Sequence, residues 1–172
     1  MARKLDGERH AMDFLDILRQ EFGDVPSMAE FVRITLRLVA AILLGGLVGL
    51  EREAAGKAAG LRTHMLVALG AALTLVVADR LDMPAADKSR VIQGLVTGIG
   101  FLGGGAILKI TDQRQIKGLT TAAGIWMTAS IGIAAGAGKL ATATVATVLT
   151  FIVLSMLHAI EQRIFPEPSE DA

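Results

Sequence analysis

Glu51-Arg52-Glu53 and Arg62-Thr63-His64 bring three carboxylate or imidazole groups and two guanidinium groups into fourteen residues. They close one apolar run and open the next, where hydrocarbon gives way to headgroups, so ionised groups there have water nearby. Two chemistries fit. In the first, the charges form an interfacial cluster that fixes the span ends, with Glu51 or Glu53 paired to Arg62. In the second, they are the polar mouth of a site between the first and third apolar runs. Carboxylates with water would then suit magnesium, which keeps much of its hydration shell. The arginines act against a bare cation site, because they neutralise the carboxylates first. Asp79, Asp82 and Asp87 lie in the opposite link. Asp87 or Ser89 reads there as the N-cap of the third run and Arg90 as an interfacial anchor. A divalent-cation vestibule is the alternative. Glu51, Glu53 and Asp87 are therefore the candidate metal ligands.

A second kind of candidate is backbone. Gly98 to Gly105 holds five glycines in eight positions, inside an apolar stretch from Val91 to Ile110. Glycine costs a helix about 1 kcal/mol against alanine. Such a run implies either that another backbone packs very close, or that the helix is locally broken and its polar backbone faces a ligand or partner. Gly98, Gly100, Gly103 and Gly104 are the binding candidates on that ground. Thr120 and Thr121, after Gly118-Leu119, cap the fourth run or back-bond to a carbonyl, with Ala122, Ala123 and Gly124 permitting close packing. Trp126 lies about two turns into that helix, too deep for an aromatic belt, and is expected to pack in the bundle. Catalysis has little support. His10, His64 and His158 are scattered, with no HExxH, GxSxG or Walker lysine motif. No ionisable residue falls at mid-depth of any run, unlike a proton-coupled pump.

These residues need elements to hold them. The chain has 172 residues, 52% apolar and 20% charged, and the charges fall between the apolar runs. Mean hydropathy is +0.54. Zero net charge gives no sign of a nucleic-acid partner. The absence of cysteine excludes disulfides and thiolate sites. No cleavable signal peptide is evident, so the first span is expected to serve as its own insertion signal. Residues 1–27 form an amphipathic segment, with Met12, Leu15, Leu18 and Phe22 on one helical face. It breaks at Gly23 to Ser27, and Ser27 is a candidate N-cap. Five apolar runs follow within residues 28–160: Phe31–Leu50, Leu61–Ala78, Val91–Ile110, Leu119–Ala137 and Leu140–Ala159. Each meets the roughly 20 residues a bilayer demands. Arg33 and Arg37 are placed to snorkel to the headgroups. Residues 161–172 read as a disordered polar tail.

A shift of 58 residues lays the first two runs on the third and fourth. Gly45-Gly46 meets Gly103-Gly104, Gly60-Leu61 meets Gly118-Leu119, Thr63 meets Thr121 and Ala71 meets Ala129. Two hairpins of the same direction would be related by an axis along the membrane normal, with the first and third spans facing each other through small residues. Seven basic residues lie on the face of links one and three and the C-terminus, against five on the other, or six with Arg37. The positive-inside tendency then places the C-terminus in the cytoplasm.

Together these segments resemble the MgtC/SapB family of bacterial membrane proteins. The resemblance rests on Gly49-Leu50-Glu51-Arg52-Glu53, Gly60-Leu61-Arg62-Thr63-His64, Asp87 with Arg90, Gly98-Ile99-Gly100-Phe101-Leu102-Gly103, and Gly118-Leu119-Thr120-Thr121-Ala122-Ala123 with Trp126. It covers Leu36 to Leu140. Lys88 stands where the family usually has proline, and Gly94 where it has glutamine. The resemblance implies a bacterial inner-membrane protein tied to growth in low magnesium and, in pathogens, to survival inside host cells. It also implies a regulator of other membrane proteins, the F-type ATP synthase among them. A C-terminal soluble domain of the best-known members lies outside the resemblance.

The sequence therefore predicts an all-α membrane protein: a bundle of five transmembrane helices with an internal two-helix repeat, preceded by an N-terminal amphipathic helix. It is expected to be a homo-oligomer in the bilayer and not an enzyme. It has no cofactor beyond magnesium and modulates another membrane protein. The alternative is a divalent-cation transporter or channel at the third span. Glu51, Arg52, Glu53, Arg62, Thr63, His64, Gly98, Gly100, Gly103, Gly104, Thr120, Thr121 and Trp126 are the expected binding residues.

Overall fold

The computed structural model describes residues 15–17, 23, 27–110 and 115–164. Of the expected N-terminal amphipathic helix, residues 15–17 are helical and the rest lies outside the described residues. The chain divides into two compact units, Met1–Thr35 and Leu36–Ala172. In the first, Ser27 caps a helix as its sequence predicts. Its Oγ accepts the Glu30 N–H at 3.2 Å, and its carbonyl accepts the Phe31 N–H at 3.0 Å. Glu30 then pairs with Arg33 one turn on, at 2.8 Å.

Five long helices make up nearly all the described structure: α1 Met28–Ala54, α2 Leu61–Arg80, α3 Ala85–Gly105, α4 Leu119–Gly136 and α5 Leu140–Ile164. Among the described residues, α1, α2 and α4 are each long and apolar enough to cross a membrane, and α5 is apolar from Leu140 to Met156. The third apolar run departs from its expected bounds. Its helix begins earlier, at Ala85 behind an N-cap at Pro84, and stops at Gly105. Asp87 and Ser89 are therefore inside the first turns and not at the cap. Leu108–Ile110 (β1) instead pairs antiparallel with Gln115–Lys117 (β2), so these residues leave the apolar helix for a short hairpin. The glycines explain the early stop, since each weakens the helix it would have to extend. Five spans are thus expected from the sequence, and three meet the requirements of length and apolarity in full. α5 also continues to Ile164, past the expected start of the polar tail; residues 165–172 lie outside the described residues.

The repeat is visible in the element boundaries. α2 and α4 start 58 residues apart behind Gly60 and Gly118, and α1 and α3 start 57 apart. It is visible in packing as well. A Cβ at Gly45 would stand 2.8 Å from the His64 carbonyl oxygen, and one at Gly103 would stand 3.6 Å from that of Ala122. Both pairs are related by the 58-residue shift. The first and third helices do not meet through these glycines, as the sequence suggested; each glycine faces the helix that follows its own.

The core is built of small residues. Ala41, Val48, Ala68, Ala72, Ile131, Ala135 and Ala143 are wholly buried in one cluster. α2 and α4 share an extensive contact, made possible by glycines on α4. A Cβ at Gly132 would lie 2.9 Å from Ala68 Cα, and one at Gly136 would lie 2.7 Å from Ala72 Cα. α1 approaches α2 in the same way: a Cβ at Gly45 would lie 2.6 Å from Ala68 Cβ, and one at Gly49 2.7 Å from Leu61 Cα. The glycines of α3 behave differently. The helix is continuous through them, and Gly94, Gly98, Gly100, Gly104 and Gly105 have open space where a side chain would be.

One ion network ties the other end of the bundle. Arg37 does not simply snorkel. Its Nη1 donates to the Gly136 carbonyl at 3.1 Å and to Asp79 Oδ2 at 3.4 Å, while Lys88 Nζ donates to Asp79 Oδ1 at 2.8 Å. The arginine thereby serves a C-terminal carbonyl of α4 that has no intrahelical donor. Gly138 has φ +74° and closes α4, with its N–H on the Ala135 carbonyl and the Lys139 N–H on that of Ala134. Its missing Cβ also admits the guanidinium, whose Nη2 would lie 2.7 Å from one. Asp79 is thus engaged by two cations.

Two stability predictions follow from this packing, both measurable as shifts in unfolding midpoint on titration with sodium dodecyl sulfate. Gly132→Ala forces α4 off α2 and destabilises by about 1–3 kcal/mol, whereas Gly98→Ala meets nothing and stabilises by up to about 1 kcal/mol. Arg37→Met strands the Gly136 carbonyl and costs about 1–3 kcal/mol, while Lys88→Met, at the more exposed limb of the network, costs less than about 1 kcal/mol.

Candidate functional site

The polar cluster of the sequence assembles where α1 ends and α2 begins. α1 closes through Gly56, with φ +64°, whose N–H bonds to the Glu53 carbonyl while that of Lys57 bonds to the Arg52 carbonyl, both at 3.0 Å. This turn directs the chain back so that α2 starts beside the last turn of α1. Glu53 then supplies what α2 lacks at its own N-terminus. Its Oε2 accepts the Leu61 N–H at 2.8 Å, a carboxylate at the positive end of a helix dipole. Gly60 leaves the space for it, since a Cβ there would stand 2.8 Å from the same oxygen.

Arg52 turns inward and is only 2% exposed. Glu51 grips it by two parallel bonds, Nε to Oε2 and Nη2 to Oε1, the second at 2.6 Å. Glu51 is therefore paired with its neighbour, and Arg62, the partner expected from the sequence, stays exposed. A buried pair of this kind is a weak source of net stability. Removing one member is costly all the same, because it leaves the other charge without compensation.

His64 is completely buried, against the expectation of a wet interfacial group. Its Nδ1 lies 2.9 Å from the Gly60 carbonyl oxygen. A carbonyl only accepts, so Nδ1 carries the proton and donates it, which makes Nε2 of the neutral ring a free acceptor. That atom is buried and has no hydrogen-bond partner. It faces α4, where a Cβ at Gly124 would lie 3.5 Å from Nε2 and 3.9 Å from Arg52 Cδ. Three helices thus converge on one imidazole, with α1 giving Arg52, α2 the histidine and α4 a glycine. Thr121 and Thr128 lie on the same buried side of α4, and the Thr128 hydroxyl is likewise without a partner.

The remaining candidates are placed elsewhere. Thr63 and Gly98 line an open groove of about 640 Å³ along α2 and α3. Gly100 and Gly104 are exposed, Gly103 is buried against α4, and Thr120 is exposed. Trp126 does not pack inside the bundle. It is 47% exposed and lines an apolar cleft of about 500 Å³ with Ala123, Gly124, Met127, Leu149 and Val153 of α4 and α5. Asp87 belongs to the first turn of α3, beyond the far end of α2, so a helix length of about 30 Å separates it from Glu51 and Glu53. These three carboxylates cannot share an ion. Among the described residues, no group of three His, Cys, Asp or Glu side chains could hold a metal.

The clamp made by Arg37 and the closeness of Gly124 to His64 emerge only in the fold. Glycine, threonine and alanine recurring three or four residues apart from Thr121 to Gly136 were the available signal for a close helix contact.

Comparison with known proteins places these features in a family. The MgtC family model matches residues 38–163. YhiD of Escherichia coli K12 is 41% identical over 143 residues, covering 79% of this chain and 64% of that protein. Protein MgtC of Brucella abortus is 45% identical over 125 residues, or 73% of this chain and 51% of the relative. Protein SrpB of Synechococcus elongatus is 36% identical over 137 residues, or 73% and 75%. The chain therefore spans between half and two thirds of the length of YhiD and MgtC. No solved structure matches. With its Glu51–His64 cluster and its glycine-rich third helix inside the matched region, the chain is a bacterial membrane protein that belongs to the MgtC family.

Proposed function

We propose that this chain is a non-enzymatic module of the bacterial inner membrane, linked to magnesium homeostasis, that acts by binding and modulating another membrane protein. Its C-terminus lies in the cytoplasm and it self-associates in the bilayer. The observation that carries this reading is how the carboxylates at the α1–α2 mouth are used. Glu51 is spent on Arg52 and Glu53 on the N-terminus of α2, so neither is free to replace water around a hydrated cation. The open glycines of α3 supply the complementary support. They cost helix stability and return no contact among the described residues, yet they let a second backbone approach closely in lipid.

Transport is the second reading, favoured by the name of YhiD, which proposes that relative as a magnesium transporter. The two readings part in one experiment with two readouts. Purified protein in proteoliposomes is expected to admit no more magnesium than protein-free vesicles. In cells whose own family member is deleted, Gly104→Leu is expected to reduce low-magnesium growth to the level of an empty vector while leaving folding intact. Magnesium entry that Glu51→Gln abolishes would sink the proposal in favour of transport. Full growth with Gly104→Leu would remove the glycine face from it.

A further inference from the structure

The His64 imidazole is buried at the helix junction, and its surroundings are unequal on its two sides. On the Nδ1 side the Gly60 carbonyl accepts its proton at 2.9 Å. On the Nε2 side no hydrogen bond is made among the described residues, and the bare backbone position of Gly124 lies against it with the Arg52 side chain alongside. The backbone and Cβ of His64 are packed against α1. A Cβ at Gly49 would lie 3.0 Å from His64 Cβ and one at Gly45 2.8 Å from its carbonyl oxygen, so α1 pins the residue from behind. The charged groups around it are Arg52 and its partner Glu51 on α1, and Glu53, which is bound to the Leu61 N–H beyond Gly60. α4 presents Thr121, Gly124, Ile125 and Thr128 on its buried face, none of which titrates.

We propose that His64 is a proton-operated release for α4. A proton taken up at Nε2 forms an N–H bond and an imidazolium beside the Arg52 guanidinium, and no hydrogen bond is in place to receive the new donor. The ring is held by α1 and by Gly60, so the element that gives way is the one lying across Nε2. The first half of α4 moves off α1 and α2 and water reaches the imidazolium. The second half stays, because Gly132 and Gly136 lock it against Ala68 and Ala72. The histidine thus works as a switch and the glycine contact as its pivot. Imidazole suits the task, since it ordinarily changes charge between about pH 5 and pH 8. The inference is independent of whether the module binds a partner or passes a cation, because it concerns only the position of α4.

The chain carries its own reporter. Trp126 is its single tryptophan, it has no tyrosine, and Trp126 lies two residues beyond Gly124. The full chain, with His10→Gln and His158→Gln in place so that His64 alone titrates among histidines, is reconstituted in nanodiscs and its emission followed from about pH 8 to about pH 5. The expected result is a reversible one-proton shift in Trp126 emission, with increased quenching by acrylamide in acid. His64→Asn, whose amide can still donate to the Gly60 carbonyl, should match the parent at the alkaline end and show no transition. An invariant emission in the parent, or the same transition in His64→Asn, would overturn the proposal. If His64→Asn does not fold, nitrogen NMR of labelled histidine in the parent decides. Nδ1 protonated at alkaline pH, with Nε2 gaining its proton as the tryptophan signal moves, supports the switch. The opposite tautomer, or a ring that stays neutral throughout, refutes it.

Discussion

The near-contact of two backbones, α4 on α2, sets the geometry of everything else. Water drives no association between helices inside a bilayer, because lipid tails are as apolar as side chains; close packing has to supply the attraction. Gly132 and Gly136 bring α4 onto Ala68 and Ala72 at distances that no larger residue would allow. That approach closes the far side of His64 with Gly124, and it leaves the outer side of α4 to form the Trp126 cleft with α5. It also carries the C-terminus of α4 to Arg37, which donates to the Gly136 carbonyl. A single methyl group in this seam would disturb the polar site and the ion network together.

The scaffold is repeated, but the chemistry is not. Gly45 and Gly103 make the same kind of contact with the carbonyl of the residue that begins the second turn of the next helix, His64 in one half and Ala122 in the other. Applying the 58-residue shift to Glu51, Arg52 and His64 lands on Lys109, Ile110 and Ala122. The second half therefore has neither the carboxylate that grips Arg52 nor the imidazole. It also stops its first helix at Gly105, several residues short of the equivalent of Ala54, and fills the distance with the β1–β2 hairpin. One half became a closed polar junction, while the other kept its glycines and left their side open.

Much of this was legible in the sequence. The starts of α2 and α4 behind Gly-Leu, the Ser27 cap, the turn at Gly138 and the repeat all follow from residue type and spacing. Burial was not legible, and the reason is physical. In a soluble helix the core face is found by contrast between apolar and polar sides, but a helix in lipid is apolar all round. Trp126 could as well point inward as outward, with no polarity gradient around the helix to choose by. The same lack of contrast hid which glycines pack. Gly132 and Gly98 sit in similar apolar contexts, yet one is crowded and the other open. The depth of Arg52 and His64 was missed for another reason. Their position at a span end suggests water, and only the tight turn through Gly56 folds the end of α1 back so that α2 and α4 cover them.

The glycines thus divide into two populations that the sequence treats alike. Gly45, Gly49, Gly132 and Gly136 have their helix-propensity cost offset by contact with α2. Gly94, Gly98, Gly100, Gly104 and Gly105 carry the same cost, about 1 kcal/mol each, with no neighbour among the described residues where a side chain would be. The cost alone does not identify a partner. It does set the form a partner would need, since only a second helix approaching backbone to backbone could use what those positions leave open. On the reading proposed here, α3 offers an outside helix the contact that α4 already makes with α2. The junction at Arg52 and His64, by contrast, is buried, with Gly124 of α4 lying against it.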